Sequence, residues 1–267
     1  MIIRSHFGLQ DNPFSLNKIS LLPHQEEIFQ ILQVHSQQGG LCLVLGEPGT
    51  GKSVIKEAVK QQANKHMIVV TVGRTLHTYC NTLKILCQAF LIELDGSDFK
   101  CEKRLIEEAF TINRQGKMLI TIIDDAHLME ISTLRKLRLL FEDFPKNHNL
   151  ILLGQPSLLL NLSLNVNQDI KSRITYSVIM PKLNPEDLEK FLLAQLDRIG
   201  LAHNTFTPDA LALIIRSSEG YLRRLRNLCL SCLLEAARDH KKEVVLDVVN
   251  RVLLQPHWRK EYDLDKI

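Results

Sequence analysis

Short apolar runs alternate with longer segments of helical periodicity from the start of the chain to about residue 183. Five runs are bounded by polar residues, glycine or proline and predict buried strands, at residues 41–45, 67–72, 118–123, 150–153 and 174–180. The segments around them contain no internal Pro or Gly and predict helices, at residues 24–36, 54–63, 75–94, 101–113 and 130–143. This alternation predicts an α/β fold, with a five-stranded parallel sheet and helices on both faces.

The pattern changes after residue 183, where no further apolar strand run occurs. Asn184-Pro185 and Thr207-Pro208 are helix-start signals, because a polar cap is followed by Pro in the first turn. Four helices are predicted, at residues 184–199, 207–216, 222–239 and 243–253. The predicted domains are a loop-rich lead-in with one helix (1–40), the α/β domain (41–183), a small all-helical domain (184–253) and a flexible tail (254–267).

The amino-acid composition limits which cellular compartment and which classes of binding partner we expect for this protein. The 267 residues include 33 basic and 30 acidic side chains, a net charge of +3, so nucleic-acid binding would depend on a local patch. The N-terminus is too polar for a signal peptide, and no run of about 18 apolar residues occurs. We therefore expect a cytoplasmic protein without a membrane partner. Cys229 and Cys232 are one helical turn apart, but they lack a second ligand pair, so buried thiols are favoured over a zinc site.

A phosphate-binding motif lies between the first predicted strand and the next helix. The eight residues Gly46, Glu47, Pro48, Gly49, Thr50, Gly51, Lys52 and Ser53 fit the pattern G-x-x-x-x-G-K-[ST]. The glycines let successive backbone N–H groups face phosphate oxygens at the helix N-terminus. Lys52 can reach the β- and γ-phosphates, and the hydroxyl of Ser53 can ligate Mg²⁺. A chance glycine-rich turn is the alternative, but the strand–loop–helix context favours a nucleotide site.

Two acidic residues and a glutamine follow other predicted strands. Asp124 and Asp125 come directly after the third strand, where Asp124 would hold Mg²⁺ and Asp125 would polarise the attacking water. The alternative is an acidic turn that caps the following helix. Gln155 comes after the fourth strand, which in this fold lies next to the strand before the motif, and would contact the γ-phosphate. A turn residue before Pro156 is nearly as good an interpretation of Gln155.

Arginines occupy two further positions of interest. Arg173 precedes the fifth strand, and Arg223, Arg224 and Arg226 open the third helix of the small domain. A planar, permanently charged guanidinium suits the transition-state charge on phosphate. A single arginine on a helix is more often a solvated side chain, so the residues alone leave both interpretations open.

Segments along nearly the whole chain resemble AAA+ ATPases, and more narrowly the ExeA-type ATPases and their transposon-borne relatives of the TnsC and TniB kind. The matching segments are HFGL and NPF near the start, GEPGTGKS, LITIIDDAH, LLGQPSL, KSRI, PKLNPEDLEKFLLAQLDRIG and SEGYLRRLRNL. The resemblance implies that the small helical domain is a lid, that Asp124 is the Mg²⁺ aspartate, and that Gln155 and Arg223 are sensors 1 and 2. It also implies that Arg173 is an arginine finger, which reaches the ATP of a neighbouring subunit. The family usually has Asp-Glu where this chain has Asp124-Asp125, and the shorter carboxylate predicts slow hydrolysis.

The resemblance also implies a function. ATP-bound subunits of the transposon-borne relatives assemble as rings or helical filaments on duplex DNA and recruit or activate a transposase or target selector. Secretion-type ExeA proteins carry a transmembrane segment after the ATPase, whereas this chain ends fourteen residues after the last predicted helix. We therefore expect a homo-oligomeric, ATP- and Mg²⁺-dependent regulator of DNA transposition. The alternatives are a cytoplasmic secretion or assembly ATPase that acts on a protein partner without DNA, and an adaptor that binds ATP but hardly hydrolyses it.

Basic residues near two predicted helices are candidates for DNA contact. Arg74, Lys100, Lys103 and Arg104 could line the central channel of a ring and contact the phosphate backbone without reading sequence. A solvated basic face is about as good an interpretation, because the acidic residues Asp95, Asp98, Glu102 and Glu107 are interleaved with them.

Overall fold

The structure is a computed structural model that describes residues 2–9, 11, 13, 14, 20–63, 65–73, 78–93 and 96–258 of the chain. The strands are β1 (Gly40–Leu45), β2 (Met67–Val72), β3 (Met118–Ile123), β4 (Asn149–Gly154) and β5 (Ile174–Ile179). The α-helices are α1 (Ile2–Phe7), α2 (Pro23–Gln38), α3 (Lys52–Gln61), α4 (Tyr79–Ala89), α5 (Asp98–Arg114), α6 (Ile131–Glu142), α7 (Ser157–Leu162), α8 (Gln168–Lys171), α9 (Pro185–Ile199), α10 (Pro208–Ser218), α11 (Leu222–Arg238) and α12 (Leu246–Leu253).

The five strands form one sheet in the order β2-β3-β4-β1-β5. Every neighbouring pair is parallel. Residues of β1, β3 and β4 are buried almost throughout, whereas β5 at the edge alternates between half-buried and exposed positions. This is the burial expected when helices cover both faces of a parallel sheet, and the predicted five-stranded parallel sheet is confirmed.

The chain divides into two compact units. The sheet unit comprises Ile19–Glu47 and Gly51–Met180, and the helical unit comprises Met1–Lys18, Pro48–Thr50 and Pro181–Ile267. Within the sheet unit, alternate residues of β1 belong to different apolar clusters. Leu43 packs into a cluster with residues of α4, α5 and α6, and Val44 packs into a second cluster with residues of α2 and α3. The two faces of the sheet are therefore covered by different helices.

The helical unit is built on α9, α10, α11 and α12. Asn184 is the N-cap of α9. Its side-chain oxygen accepts a hydrogen bond of 2.8 Å from the N–H of Asp187. Cys229 and Cys232 lie fully buried on α11 as free thiols. Burial raises the pKa of Cys232 to about 12 and raises that of Cys229 well above its usual value. Because zinc binds thiolates, these two residues act as apolar packing groups.

Several predicted element boundaries were wrong. The helix predicted at 75–94 ends at Ala89, and Leu91 has a left-handed backbone with φ of 57° that ends it; residues 74–77, 94 and 95 lie outside the described part of the chain. The next helix begins at Asp98 and not at residue 101. Helices α1, α7 and α8 were not predicted. They span six, six and four residues, which is too short for helical periodicity to be visible.

Candidate nucleotide site

The loop Gly46–Ser53 connects the end of β1 to the start of α3. Gly49 and Gly51 have φ of 93° and 107°, values that side chains with a Cβ rarely adopt. Gly51 is also the N-cap of α3, and no side chain caps that helix. The N–H of Gly46 donates to the carbonyl of Gly154 at 3.0 Å, which fixes the start of the loop to the end of β4. The two glycines therefore shape the loop and leave the first turn of α3 accessible to an anion.

The side chain of Lys52 is held against the loop that precedes it. Its Nζ donates to the carbonyl oxygens of Gly46 at 2.5 Å and Glu47 at 3.0 Å. These contacts place a positive charge beside the uncapped start of α3, where the helix dipole already favours a negative ligand. The positions of this ammonium group and of the helix N-terminus fit a bound phosphate chain.

The acidic pair Asp124-Asp125 follows β3. Asp124 is largely buried, with 14% of its side chain exposed, and its Oδ2 lies 2.6 Å from Nζ of Lys56 on α3. Its Oδ1 accepts the N–H of Asp125 at 3.0 Å. Asp125 is exposed and has a left-handed backbone with φ of 52°. Asp124 is therefore held in place by one ion pair and one backbone hydrogen bond, while Asp125 faces solvent.

Lys56 was not predicted as a site residue. It lies one helical turn after Lys52, so both side chains leave the same face of α3. That spacing was visible in the sequence, but a lysine on a helix is usually a solvated side chain. The ion pair with Asp124 is what distinguishes it, and this pair joins α3 to the end of β3.

The sheet order brings three predicted site positions to one edge. Strand β4 lies between β1 and β3, with Leu45 opposite Gly154 and Ile123 opposite Leu152. Gln155 therefore follows the strand that separates Gly46 from Asp124. The expectation that the fourth strand lies beside the strand of the phosphate-binding loop is confirmed.

His127 also lies at this edge and was not predicted as a site residue. A Cβ added at Gly154 would come within 3.2 Å of the His127 backbone nitrogen, so only glycine fits there without a shift. The Nδ1 atom of His127 is buried and has no hydrogen-bond partner among the described residues.

Arg173 lies at the other end of the sheet. It directly precedes Ile174, the first residue of β5, which pairs with Leu41 near the start of β1. Its Nε is 3.1 Å from Oε1 of Glu142, and 61% of its side chain is exposed. Because β1 has six residues, about 20 Å separate this end from the phosphate-binding loop. Arg173 is therefore too far away to contact a phosphate bound to the loop of its own chain.

Arg223 belongs to the helical unit, which also includes Pro48–Thr50. Its backbone N–H donates to the carbonyl of Gly49 at 3.2 Å, and its side chain is exposed. The neighbouring arginines have other partners. Arg224 pairs with Glu219 at 3.4 Å, and Arg226 donates to the carbonyl of Phe14.

The residues predicted to contact DNA lie on α5, with the exception of Arg74, which is outside the described residues. Lys103 is exposed and lies 3.9 Å from Glu107, a contact too long and too solvated to contribute much. Arg104 donates from Nη1 to the carbonyl of Glu93 at 3.0 Å. Lys100 is exposed. Of the described residues in this set, Lys100 and Lys103 are the ones most available to a partner.

The donor atoms at the loop suit a hard divalent cation. Ser53, the second residue of α3, is exposed, and the carboxylate of Asp124 is held at the end of β3. Mg²⁺ prefers oxygen ligands and keeps several waters, so one hydroxyl and one carboxylate are a suitable pair. An ion held there would compete with Lys56 for Oδ2 of Asp124.

Comparison with known proteins agrees with this geometry. Residues 34–162 match the family model of the AAA domain. This matched segment, just under half of the chain, contains the phosphate-binding loop, the acidic pair and Gln155. A general secretion pathway protein A of Aeromonas hydrophila is 28% identical over 253 aligned residues, which cover 91% of this chain and 46% of the relative. This chain thus spans about half the length of that relative.

Solved structures share the fold at low sequence identity. Cdc6p of Pyrobaculum aerophilum is similar over 99% of this chain and 74% of its own, with a TM-score of 0.72 and 17% identity. A Drosophila ORC structure bound to DNA is similar over 99% of this chain and 67% of its own, with a TM-score of 0.69 and 17% identity. The predicted AAA+ fold is confirmed, whereas the narrower likeness to the TnsC and TniB proteins stays a prediction.

In the part of the chain that the structure describes, none of the helices combines the length and apolar character needed to cross a bilayer.

Proposed function

We propose that this protein is an ATP-hydrolysing AAA+ regulator that assembles on duplex DNA and recruits or activates a transposase. The observation that carries the proposal is the position of two sets of residues at opposite ends of the sheet. Lys52 and Asp124 lie at the carboxyl end of the parallel strands, and Arg173 lies at the amino end. A site that needs both sets is complete only when a second copy supplies the arginine.

The residues at the carboxyl end of the parallel strands have different roles in ATP hydrolysis. Lys52 and the N-terminus of α3 bind the phosphates, and Ser53 and Asp124 would hold Mg²⁺, which neutralises phosphate charge. The exposed carboxylate of Asp125 accepts a proton from the attacking water, and the amide of Gln155 orients that water. In a neighbouring copy, the guanidinium of Arg173 stabilises the charge that develops on the transferred phosphoryl group.

DNA as the partner is supported by two observations of different kinds. The structural neighbours include an ORC structure bound to DNA, and Lys100 and Lys103 on α5 are exposed. With a net charge of only +3, a single copy neutralises few phosphates. Binding is therefore strong only when several copies act together, and it falls steeply as salt rises.

A second function is favoured by the secretion-pathway relative. That protein is similar over 91% of this chain, and by its name it serves secretion. In this second proposal the same ATP site drives a change in a protein partner, and DNA has no effect. The two proposals share the nucleotide chemistry and differ in the ligand that stimulates it.

The experiment that separates them is ATP turnover with and without duplex DNA, at two salt concentrations. We expect DNA to stimulate turnover and the stimulation to fall at the higher salt. The variant Lys52→Ala should be inactive under all conditions, because it removes the charge that binds the phosphates. Turnover that depends on Lys52 and ignores DNA would reject the DNA proposal and favour the secretion proposal.

A double variant locates the DNA surface. Lys100→Ala with Lys103→Ala should weaken ATP-dependent DNA binding about equally for all sequences and should flatten its salt dependence. The matched control is Lys190→Ala with Arg198→Ala, which removes two exposed charges from α9. Equal weakening by both double variants would mean that net charge, and not the surface of α5, determines binding.

A further inference from the structure

A cavity of about 290 Å³ lies between α6 and one face of the sheet, within the sheet unit. Most of its lining is apolar and comes from α6, the following turn, the strands and α8. The apolar side chains of α6 that line it are Leu134, Leu137 and Phe141. The phosphate-binding loop contributes no residue to it, so the cavity is separate from the nucleotide site.

The charged residues of the lining are mostly cationic. Arg138, Lys146 and Arg173 line the cavity together with a single carboxylate, that of Glu142. His148 also lines it, but burial lowers the pKa of its imidazole to about 3, so this ring is neutral near pH 7. Lys146, Arg173 and Glu142 are exposed, so the opening of the cavity is charged while its interior is apolar.

Arg138 has an unmet requirement for an acceptor. Its Nη1 donates to the carbonyl of Asp169 at 3.3 Å and lies 3.4 Å from Oε1 of Glu142. Its Nε is buried and has no acceptor among the described residues. A buried donor on a charged group is costly to leave unpaired, and an apolar surrounding raises that cost. About 17% of the Arg138 side chain is exposed and it lines the cavity, so the guanidinium is open to an oxygen acceptor on a ligand.

We propose that this cavity binds a small amphipathic carboxylate, with its apolar part against Leu137 and Phe141 and its carboxylate accepting from the guanidinium of Arg138. An apolar cavity of about 150 Å³ holds one benzene ring, so this one holds roughly twelve non-hydrogen atoms. A medium-chain fatty acid or an aryl carboxylate has that size. The site goes beyond the ATPase function proposed above and does not depend on it.

The probe for the test is octanoate, with 1-octanol as the uncharged ligand of equal chain length. Binding to the full chain is measured by isothermal titration calorimetry without nucleotide. We expect octanoate to bind with a dissociation constant of about 0.1–1 mM, typical of a ligand with about ten non-hydrogen atoms. Octanol should bind about tenfold more weakly, because it forms no charge-assisted hydrogen bond with Arg138. Equal binding of the two ligands, or no binding of octanoate, would overturn the proposal.

Two variants test the contact between Arg138 and the carboxylate of the ligand, and we expect them to change octanoate affinity in opposite directions. Arg138→Met keeps the length of the side chain and removes the donor, and it should weaken octanoate binding about tenfold or more with little effect on octanol. Glu142→Gln removes the carboxylate that competes for Arg138 and should tighten octanoate binding by about two- to fivefold. Because Glu142 is exposed, this second variant keeps the proposal testable if Arg138→Met does not fold. Unchanged octanoate affinity in Glu142→Gln would reject Arg138 as the partner of the carboxylate.

A third variant tests the apolar end. Leu134→Phe places a larger side chain of α6 in the cavity and so reduces its free volume. This variant should abolish octanoate binding while preserving or raising the thermal midpoint of unfolding. Octanoate affinity equal to that of the unmodified protein would mean that the ligand binds elsewhere and would overturn the assignment.

Discussion

The ammonium group of Lys56 lies 2.6 Å from Oδ2 of Asp124. Only 18% of the lysine side chain and 14% of the aspartate side chain are exposed, so this ion pair is shielded from solvent more than a surface pair. A shielded charge is expensive to leave alone. Lys56 therefore stabilises the carboxylate that would hold Mg²⁺, and it competes with the ion for the same oxygen.

Replacing Lys56 by Met should expose both effects. In the absence of Mg²⁺ the free energy of unfolding should fall by about 1–3 kcal/mol, because Asp124 loses its counter-charge. Added Mg²⁺ should restore part of the loss, and tight nucleotide binding should need less Mg²⁺ than in the unmodified protein. Urea unfolding with and without Mg²⁺ measures the first effect, and nucleotide titration at several Mg²⁺ concentrations measures the second.

The control for this prediction is Lys60→Met, one turn further along α3. Lys60 pairs with Glu57 at 3.0 Å on the exposed surface, so its loss should cost less than about 0.5 kcal/mol. If both lysine variants unfold alike, with and without Mg²⁺, the pair with Asp124 has no special role.

Substitutions at Asp125 should separate its chemistry from its backbone conformation. Asp125→Asn should reduce ATP turnover by about 10²- to 10⁴-fold while leaving nucleotide binding and stability nearly unchanged. Asn removes the basic carboxylate but adopts a left-handed backbone as readily as Asp, which matters because φ is 52° here. Unchanged turnover in the Asn variant would mean that another group activates the water.

Asp125→Glu should have the opposite profile. Turnover should be preserved or raised, because the longer carboxylate is the one usual in the AAA+ ATPases that this chain resembles. The free energy of unfolding should fall by about 1 kcal/mol, because Glu disfavours the left-handed conformation. Steady-state ATPase assays and urea unfolding of the same samples measure both quantities. Lower turnover with unchanged stability would contradict this account.

Arg173→Ala should lower ATP turnover by about 10³-fold and spare ATP affinity, if the guanidinium acts on a site of another copy. Mixing this variant with Lys52→Ala should recover activity, since each variant supplies what the other lacks. Lys171→Ala is the control, because it removes a nearby exposed cation without a guanidinium. The absence of any recovery on mixing, or an equal loss with Lys171→Ala, would rule out this role.

The buried His148 should make stability dependent on pH. Its pKa is lowered from 6.5 to about 3, so between these values the unfolded chain binds a proton that the folded chain does not. The free energy of unfolding therefore falls as pH decreases below about 6.5, by up to roughly 1.4 kcal/mol per pH unit from this residue.

The variant for this prediction combines Thr121→Val with His148→Phe. The two side chains are hydrogen-bonded to each other at 2.9 Å, so replacing both leaves no unpaired polar atom. Urea unfolding between pH 7.5 and pH 5 should show a shallower pH dependence for the variant and a constant difference from the unmodified protein above pH 7. Parallel curves over the whole range would contradict the assignment.

The strands and the edge that carries the site were predictable from local pattern. Runs such as 118–123 are apolar throughout and end in polar residues, and the parallel register then fixes which ends lie together. The start of α3 was predictable because glycine and lysine occur at a fixed spacing before it. Local pattern fails where elements are short, as in α7 and α8, because fewer than two turns show no periodicity.

Pairing and packing between distant residues were not predictable. Nothing in the sequence distinguishes Lys56 from other helical lysines, since its partner Asp124 is brought near only by the fold. The apolar spacing of Leu134, Leu137 and Phe141 predicts a buried helix face, but it does not reveal that the facing side chains leave a cavity. The left-handed backbone of Asp125 was likewise unpredictable, because most aspartates at strand ends have negative φ.

If Arg173 acts on the nucleotide of another copy, its separation from the phosphate-binding loop along the six residues of β1 gives a head-to-tail assembly a direction. Copies that join head to tail repeat this contact in one direction, whereas an antiparallel twofold contact would pair each arginine with the other copy's nucleotide and close as a dimer. In an open filament the copy at one terminus then has a nucleotide that no arginine reaches, while the copy at the other terminus has an arginine without a target. Every copy except the one at that terminus would hydrolyse its ATP. The two ends of a filament on DNA would therefore differ in activity, whereas a closed ring has no such ends.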